Sequence, residues 1–385
     1  VPKEKKITTM SKAVRVLHVF AGLNCGGAEN LVMNLYRHID RAQIQFDFAY
    51  YKRFSDYFVR EIQEMGGQVY RLPPPTFRHF FSFLFRWWRI LSKQNTHRII
   101  HGHAQATSIV YLFFARLMRR HTILHAHTTH HGYGGKGLAR RIFQFPARFF
   151  AHTRLACSQE AGEWLFGKKK AFSIFSNAID LDRFRYDPDE AKRQKEQLGM
   201  DGKLVIGHVG RFSREKNHAF LLEVFGQFLA RNPESVLFLV GDGPLKHPIA
   251  ERAKEQGLED HVVFAGFIPD VGRLMMAMDL FVLPSLYEGV PLTLIEAQSS
   301  GLPCLVSDAI SLDVIPTSLV HTLSLRENEQ VWADKMVEIA NRPHQQDRSH
   351  WHLSFRDTEF DIRILAIKYE RLIREPIGNQ RKGNR

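Results

Sequence analysis

The sequence predicts an α/β protein built from two doubly wound parallel units. Three observations lead there. Strand-like apolar runs alternate with helix-like stretches almost throughout, the pattern of parallel sheets covered by helices. That pattern opens twice, at Val14–Phe20 and again at Leu204–Val209. The chain has 385 residues, 44% of them hydrophobic, which suits two domains of ordinary size, each with a sizeable core.

Taken in order, residues 1–9 are charged and polar and lack an apolar signal core, so they read as an extension upstream of Met10. A buried strand, Val14–Phe20, leads into a glycine loop and a helix from about Ala28. Further strands are expected near 45–50, 68–72, 98–102, 121–126, 153–156 and 172–175. The second half repeats the plan, with strands near 235–240, 261–264, 279–283 and 303–306. Each half therefore reads as one doubly wound unit. The seam is expected near 180–200, where Asp187-Pro188-Asp189 breaks the apolar pattern. That triplet and Asp180-Leu181-Asp182 have the form of a D-x-D metal motif, but both sit among turn residues and read as capping carboxylates. A last amphipathic helix spans about 359–374. The basic tail 376–385 is expected to be disordered.

Composition removes several classes. The three cysteines, Cys25, Cys157 and Cys304, stand apart, which argues against a disulfide framework or thiolate metal site and for a reducing compartment. No apolar stretch reaches the length of a membrane span. Lys and Arg number 53 against 40 Asp and Glu, a net charge of +13 that favours an anionic partner: nucleic acid, anionic lipid or a phosphorylated substrate. No helix-turn-helix, zinc-finger or RNP signature supports nucleic acid.

The chemistry concentrates in Glu288-Gly289-Val290-Pro291-Leu292-Thr293-Leu294-Ile295-Glu296, directly after a buried-looking strand. Pro291 suits the first turn of a helix, where its missing N–H costs nothing. The N–H groups near Val290, Leu292 and Thr293 are then unpaired and form a site for an anion. On a helix axis, eight residues separate the two glutamates by about 12 Å. That is the layout of a sugar nucleotide, with a diphosphate between two sets of hydroxyls that carboxylates can accept from. Upstream, Gly210-Arg211-Phe212-Ser213-Arg214-Glu215-Lys216-Asn217 follows the first strand of the second half, at a carboxyl end where such sheets bind ligands. Arg211 and Lys216 are cationic donors suited to phosphate oxygens. Gly241-Asp242-Gly243-Pro244 reads as a turn with a helix cap that shapes the nucleotide pocket.

Histidines crowd the first half. His101 and His103 share a strand face, and His125, His127, His130 and His131 finish or follow the next strand. The run His125-Ala126-His127-Thr128-Thr129-His130 approaches the H-x-H-x-D-H signature of binuclear hydrolases, but Thr129 stands where an aspartate is needed, so no metal is assigned. Two segments are aromatic and basic: residues 77–89, with Phe81, Phe85, Trp87 and Trp88 among Arg78, Arg86 and Arg89, and residues 136–150. Each can lie on an anionic bilayer, or serve as a core helix whose arginines reach out to solvent.

Together, Gly26-Gly27-Ala28-Glu29, Gly210-Arg211 with Lys216-Asn217, Gly241-Asp242-Gly243-Pro244 and Glu288 to Glu296 resemble family 4 of the retaining glycosyltransferases, from about residue 14 to about residue 372. The likeness is strongest to bacterial enzymes of capsular and exopolysaccharide assembly. It implies the GT-B fold, two facing Rossmann-like domains with a cleft between them. Residues 10–185 would bind the acceptor, residues 186–358 the nucleotide sugar, and a helix over 359–375 would pack back on the first domain. The resemblance gives Arg211 and Lys216 the donor diphosphate, Glu288 the donor sugar and Glu296 the ribose. The backbone near Phe267 would meet the base, and Gly289, Val290, Pro291, Leu292 and Thr293 the phosphate or sugar. Gly26 and Gly27 would let donor or acceptor approach closely, and His127 would contact the donor sugar or acceptor.

The implied reaction moves a sugar with retention from a nucleotide donor, a UDP sugar, to a hydroxyl of a saccharide or polyprenyl-linked saccharide. No cofactor or metal is implied, since fixed cations and helix amides stabilise the departing diphosphate. The expected place is the cytoplasmic side, peripheral on the inner face of the membrane. Two other readings remain open: another GT-B enzyme, such as a sugar-nucleotide epimerase or hydrolase, and a basic nucleic-acid-binding protein.

Overall fold

The computed structural model describes residues 13–382, except 24–25, 52–55, 93–95, 104–106, 128–144, 269, 289, 311–316 and 343–346. Two compact units divide it. Residues up to Ser176, with Leu365 onward, form the first, and Asn177 to Ile364 form the second.

The first unit holds a seven-stranded sheet: β1 (Val14–Phe20), β2 (Ile44–Tyr50), β3 (Val69–Arg71), β4 (Ile99–Gly102), β5 (His121–Ala126), β6 (Thr153–Ala156) and β7 (Ser173–Ile174). They lie in the order β3-β2-β1-β4-β5-β6-β7. The second holds β8 (Leu204–Val209), β9 (Ser235–Val240), β10 (Val262–Gly266), β11 (Leu280–Leu283), β12 (Cys304–Ser307) and β13 (Val320–Leu323), in the order β10-β9-β8-β11-β12-β13. All these pairings are parallel. Both sheets have the order of a dinucleotide-binding fold, reversing direction beside their first strand. The doubly wound expectation holds twice. β13 went unforeseen, because Val320-His321-Thr322-Leu323 is a short, half-buried edge with little apolar signal.

Both sheet faces are buried, so the central strands read as continuous apolar runs. In the second unit Val205, Val209, Phe281 and Leu283 pack on one face, and Ile206, Leu280, Val282 and Leu305 on the other. In the first unit one face is conventional: Leu17, Val19, Ile100 and Leu124 pack with Phe83, Trp87 and Tyr111. The opposite face carries His18 and His101, register partners on β1 and β4.

Two helix ends differ from expectation. Helix Leu292–Ser299 starts one residue later than its proline suggests: Pro291 stays extended at ψ 99° and acts as the cap residue. Its carbonyl accepts from Leu294 N–H. The C-terminal helix, Ile362–Lys382, runs through Pro376 instead of giving way to a disordered tail. Proline's fixed φ is itself helical, so the helix loses hydrogen bonding locally without having to end there.

Candidate active site

Where strand order reverses, the loops at the carboxyl ends diverge and leave room for a ligand. In the second unit these are the loops after β8 and β11, which bear Arg211, Lys216 and Glu288. The loops are tied together, since Leu286 N–H donates to Glu215 O at 2.8 Å. Lys216 Nζ donates to Glu288 Oε1 at 2.6 Å, and the two side chains are only 14% and 11% exposed. Ser285 Oγ donates to the same Oε1 at 2.6 Å. Ser285 is held in turn by Ser307, whose hydroxyl donates to its carbonyl. Arg211, by contrast, is exposed, and its guanidinium has no partner among the described residues.

The Arg211 loop is shaped from below by two glycines. Gly241 and Gly243 have φ of 145° and 158°, and a Cβ on them would come within 2.0 Å of Gly210 O and 2.5 Å of Phe212 O. The Gly-Asp-Gly turn therefore lies flat against the backbone of the Arg211 loop, bonded through Phe212 N–H to Asp242 O. The expected helix cap is not there. Asp242 Oδ1 accepts from neighbouring Gly243 N–H, and the helix Lys246–Glu255 begins after Leu245 without a side-chain cap.

Helix Leu292–Ser299 also has no capping side chain, Leu294 N–H returning to Pro291 O, and the Thr293 hydroxyl is buried without a partner among the described residues. Burial raises the Glu296 carboxyl to about 7, against a modest pull from Arg183. Val290, Leu292 and Thr293 are half-buried, Pro291 is buried, and Phe267 stands exposed at the end of β10. Gly289 lies outside the described residues.

In the first unit, Gly26 precedes the helix Gly27–His38 with an ordinary φ of −83°. Its lack of a Cβ makes room: one would meet Glu29 Oε2 at 2.5 Å. The Glu29 carboxyl thus folds over the glycine, and burial raises it to about 7. The loops after β4 and β5 carry His103 and His127. With His18, His101 and His125 they form one cluster, because alternate residues of parallel strands share a face. His103 Nδ1 lies 2.7 Å from His127 Nε2, and His103 Nε2 lies 3.1 Å from His18 Nδ1. Burial pushes His18 and His127 down to about 3 and holds His101, His103 and His125 well below the ordinary imidazole value, with repulsion among the rings adding to it.

Two triplets, His18–His101–His103 and His103–His125–His127, bring one nitrogen each within 4.8 Å of the others. Within them His18 Nδ1 and His103 Nε2 face one another, as do His103 Nδ1 and His127 Nε2, while both His125 nitrogens have no hydrogen-bond partner among the described residues. His130 and His131, like residues 136–144 of the second aromatic segment, lie outside the described residues.

Sequence reasoning brought out Arg211, Lys216, Glu288, Glu296 and His127, but missed Ser285, His18 and Tyr369. A polar residue at the end of β11 was the one available sign of Ser285. His18, alone in an apolar strand, signals nothing until β1 pairs with β4.

A family model described as "Glycosyl transferases group 1" matches residues 189–349, and one described as "Glycosyltransferase Family 4" matches residues 25–183. The chain is 36% identical over 340 residues to the glycosyltransferase EpsF of Bacillus subtilis, covering 86% of this chain and 88% of that one. It is 30% identical over 233 residues to the Escherichia coli UDP-Gal:alpha-D-GlcNAc-diphosphoundecaprenol alpha-1,3-galactosyltransferase, covering 57% of this chain and 59% of the other. The fold is similar to that of Anabaena Alr3699/HepE, solved in complex with UDP and glucose, with a TM-score of 0.77 at 18% identity, covering 94% of this chain and 99% of that chain.

Proposed function

Because this chain belongs to glycosyltransferase family 4 and is related to enzymes of polysaccharide biosynthesis, we propose that it moves a sugar from a UDP donor, with retention, to a hydroxyl of a saccharide or lipid-linked saccharide. The observation that carries this reading is the Lys216–Glu288 pair at the reversal point of the second sheet, beside an exposed Arg211 and an uncapped helix start. Lys216 and Arg211 would hold the diphosphate and take up the charge that develops as it leaves. The Glu288 carboxylate would then turn to the sugar hydroxyls. Glu296, desolvated by burial and only partly offset by Arg183, would accept from the ribose. A departing phosphate oxygen would help remove the acceptor proton on the same face, and Lys216 and Arg211 would take the place of a metal on the diphosphate. His127 would present its ring to the sugar or the acceptor.

A panel of nucleotide sugars, scored by nucleotide release and product mass, tests the reading. UDP release with a mass gain on a saccharide or polyprenyl-linked acceptor is expected. Free sugar or an epimerised donor, with no dependence on acceptor, would instead mark a hydrolase or epimerase.

The acceptor's lipid calls for a membrane surface. Among the described residues, no helix is long and apolar enough to cross a membrane. Helix Phe80–Ser92 buries Phe83, Trp87, Ile90 and Leu91, yet leaves Phe81 83% and Trp88 51% exposed among Arg78, Arg86 and Arg89. An outward aromatic face with interleaved cations suits the headgroup region of an anionic bilayer. We expect the protein to pellet with anionic liposomes at low salt and to be released at high salt. Equal binding to neutral vesicles would remove the anionic surface from the proposal, and failure to bind either kind would remove the membrane, together with a place on the inner face of the cytoplasmic membrane.

A further inference from the structure

The histidine cluster contains an unbroken line of polar atoms. His127 Nε2 lies 2.7 Å from His103 Nδ1, and His103 Nε2 lies 3.1 Å from His18 Nδ1. His18 Nε2 lies 3.4 Å from the Tyr369 hydroxyl, which lies 2.9 Å from His101 Nδ1. Every atom inside this line has a neighbour in it. Its two ends, His127 Nδ1 and His101 Nε2, have no hydrogen-bond partner among the described residues. His125 stands beside the line, its ring centroid 4.0 Å from that of His127 and tilted by 38°.

A neutral imidazole has one N–H and one lone pair, and a phenol can donate once while it accepts. Burial keeps these rings neutral. Each link needs one donor and one acceptor, and with the Tyr369 proton used inside the line two arrangements exist; Tyr369 accepting from both His18 and His101 would strand its own buried O–H. In the first, every link donates towards His127. His101 donates to Tyr369, Tyr369 to His18, His18 through Nδ1 to His103, and His103 through Nδ1 to His127. His127 then carries its proton on Nδ1, and His101 Nε2 is a bare lone pair. In the second, all links reverse, and the stranded group at the deep end is an N–H. His101 is 1% exposed. Both end atoms are buried, and an unpaired buried donor or acceptor carries the full desolvation penalty. His127 is half-buried, so an incoming ligand can relieve a stranded N–H at that end and not at His101. The first arrangement is favoured.

We propose that His103, backed by His18 and Tyr369, is a positioning residue that fixes the proton of His127 on Nδ1, so that His127 meets its ligand as a donor to a hydroxyl oxygen. That His127 meets a ligand, and which one, rests on the transferase reading; the order of the protons along the line does not. It also accounts for Tyr369, whose side chain is fully buried and whose hydroxyl would otherwise have no polar task in the first unit.

Ring-¹⁵N-labelled histidine, with His127→Gln to assign its signals, reads the tautomer directly. The wild-type chain should show His127 protonated on Nδ1. His103→Phe keeps the ring but breaks the line, and should shift His127 to a mixed or Nε2-protonated state. Turnover should fall about 10–100-fold, the usual cost of losing an orienting partner, while UDP affinity stays unchanged. His103→Asn, whose amide reaches the Nδ1 position, should recover most of the loss, as a purely packing role would not allow. Should His103→Phe not fold, Tyr369→Phe removes a single hydroxyl and should loosen the same tautomer. A His127 proton on Nε2 in the wild type, or one that stays on Nδ1 in both variants, overturns the proposal. So does one zinc per purified chain that is lost with His103→Phe, since the nitrogens would then belong to a metal. If the wild-type chain turns over no donor, the transferase reading fails while the spectra still judge the relay.

Discussion

The two sheets reverse direction in the same way and fill the reversal point with opposite electrostatics. In the second unit it holds fixed charge: Arg211 open, and Lys216 locked to Glu288. In the first it holds neutral imidazoles, five of them packed so closely that burial keeps protons off. Topology selects the place and leaves the chemistry to the side chains. A charged site suits a diphosphate, whose charge persists and grows during the reaction. A neutral, hydrogen-bonded site suits hydroxyls, where direction matters more than charge.

The comparison breaks most easily with acid. An unfolded histidine titrates near 6.5, and these five titrate far lower when folded. Between those values the unfolded chain binds more protons, so stability is present above about 6.5 and is lost as pH falls below it. Each imidazole contributes about 1.4 kcal/mol per pH unit in that window. Glu29 and Glu296, raised to about 7, work in the opposite direction but are only two groups. Urea unfolding should therefore lose several kcal/mol between pH 7.5 and 5.5. A flat profile would mean that the rings are solvated and that the two regions differ less than described.

Next in size is Lys216→Ala. Turnover should drop about 10²–10³-fold, the loss typical of one electrostatic donor to a developing charge. The fold should persist, because the pair lies in surface loops outside the sheet. Kinetics of UDP release alongside a thermal melt decide it. Near-normal turnover would take the charged region out of the chemistry.

The smallest effect sharpens the contrast from within the charged unit. Hydroxyl donors favour the ionised form of Glu296, whose carboxyl sits near 7. UDP affinity should rise with pH up to about 7 and then level off, by no more than about tenfold per unit. The terminal phosphate of UDP titrates nearby, so the measurement is the calorimetric difference from Glu296→Gln. Identical pH profiles for the two proteins would deny Glu296 the ribose.

Much of this was legible in one dimension. The openings at Val14–Phe20 and Leu204–Val209 were readable because strands buried on both faces are apolar without interruption. Arg211, Lys216, Glu288 and Glu296 could be singled out as candidates because loop and helix-start chemistry is local: a few consecutive residues fix both backbone and charge. The Gly241–Gly243 turn was noticed but misassigned as a cap. Its glycines answer to the backbone of Gly210 and Phe212 on another strand end, a contact that local sequence does not carry.

The sequence by itself determined the two alternating units, their order and the cationic loop, since each depends on residues near one another in the chain. Only the tertiary structure decided that Lys216 meets Glu288 across 72 positions, and that His18, His101, His103, His127 and Tyr369 share one line of hydrogen bonds. The reason is geometric. Parallel pairing sets distant strands side by side in register, and which side chains then touch follows from that register and from the helix laid over the sheet, neither of which is written in any single segment.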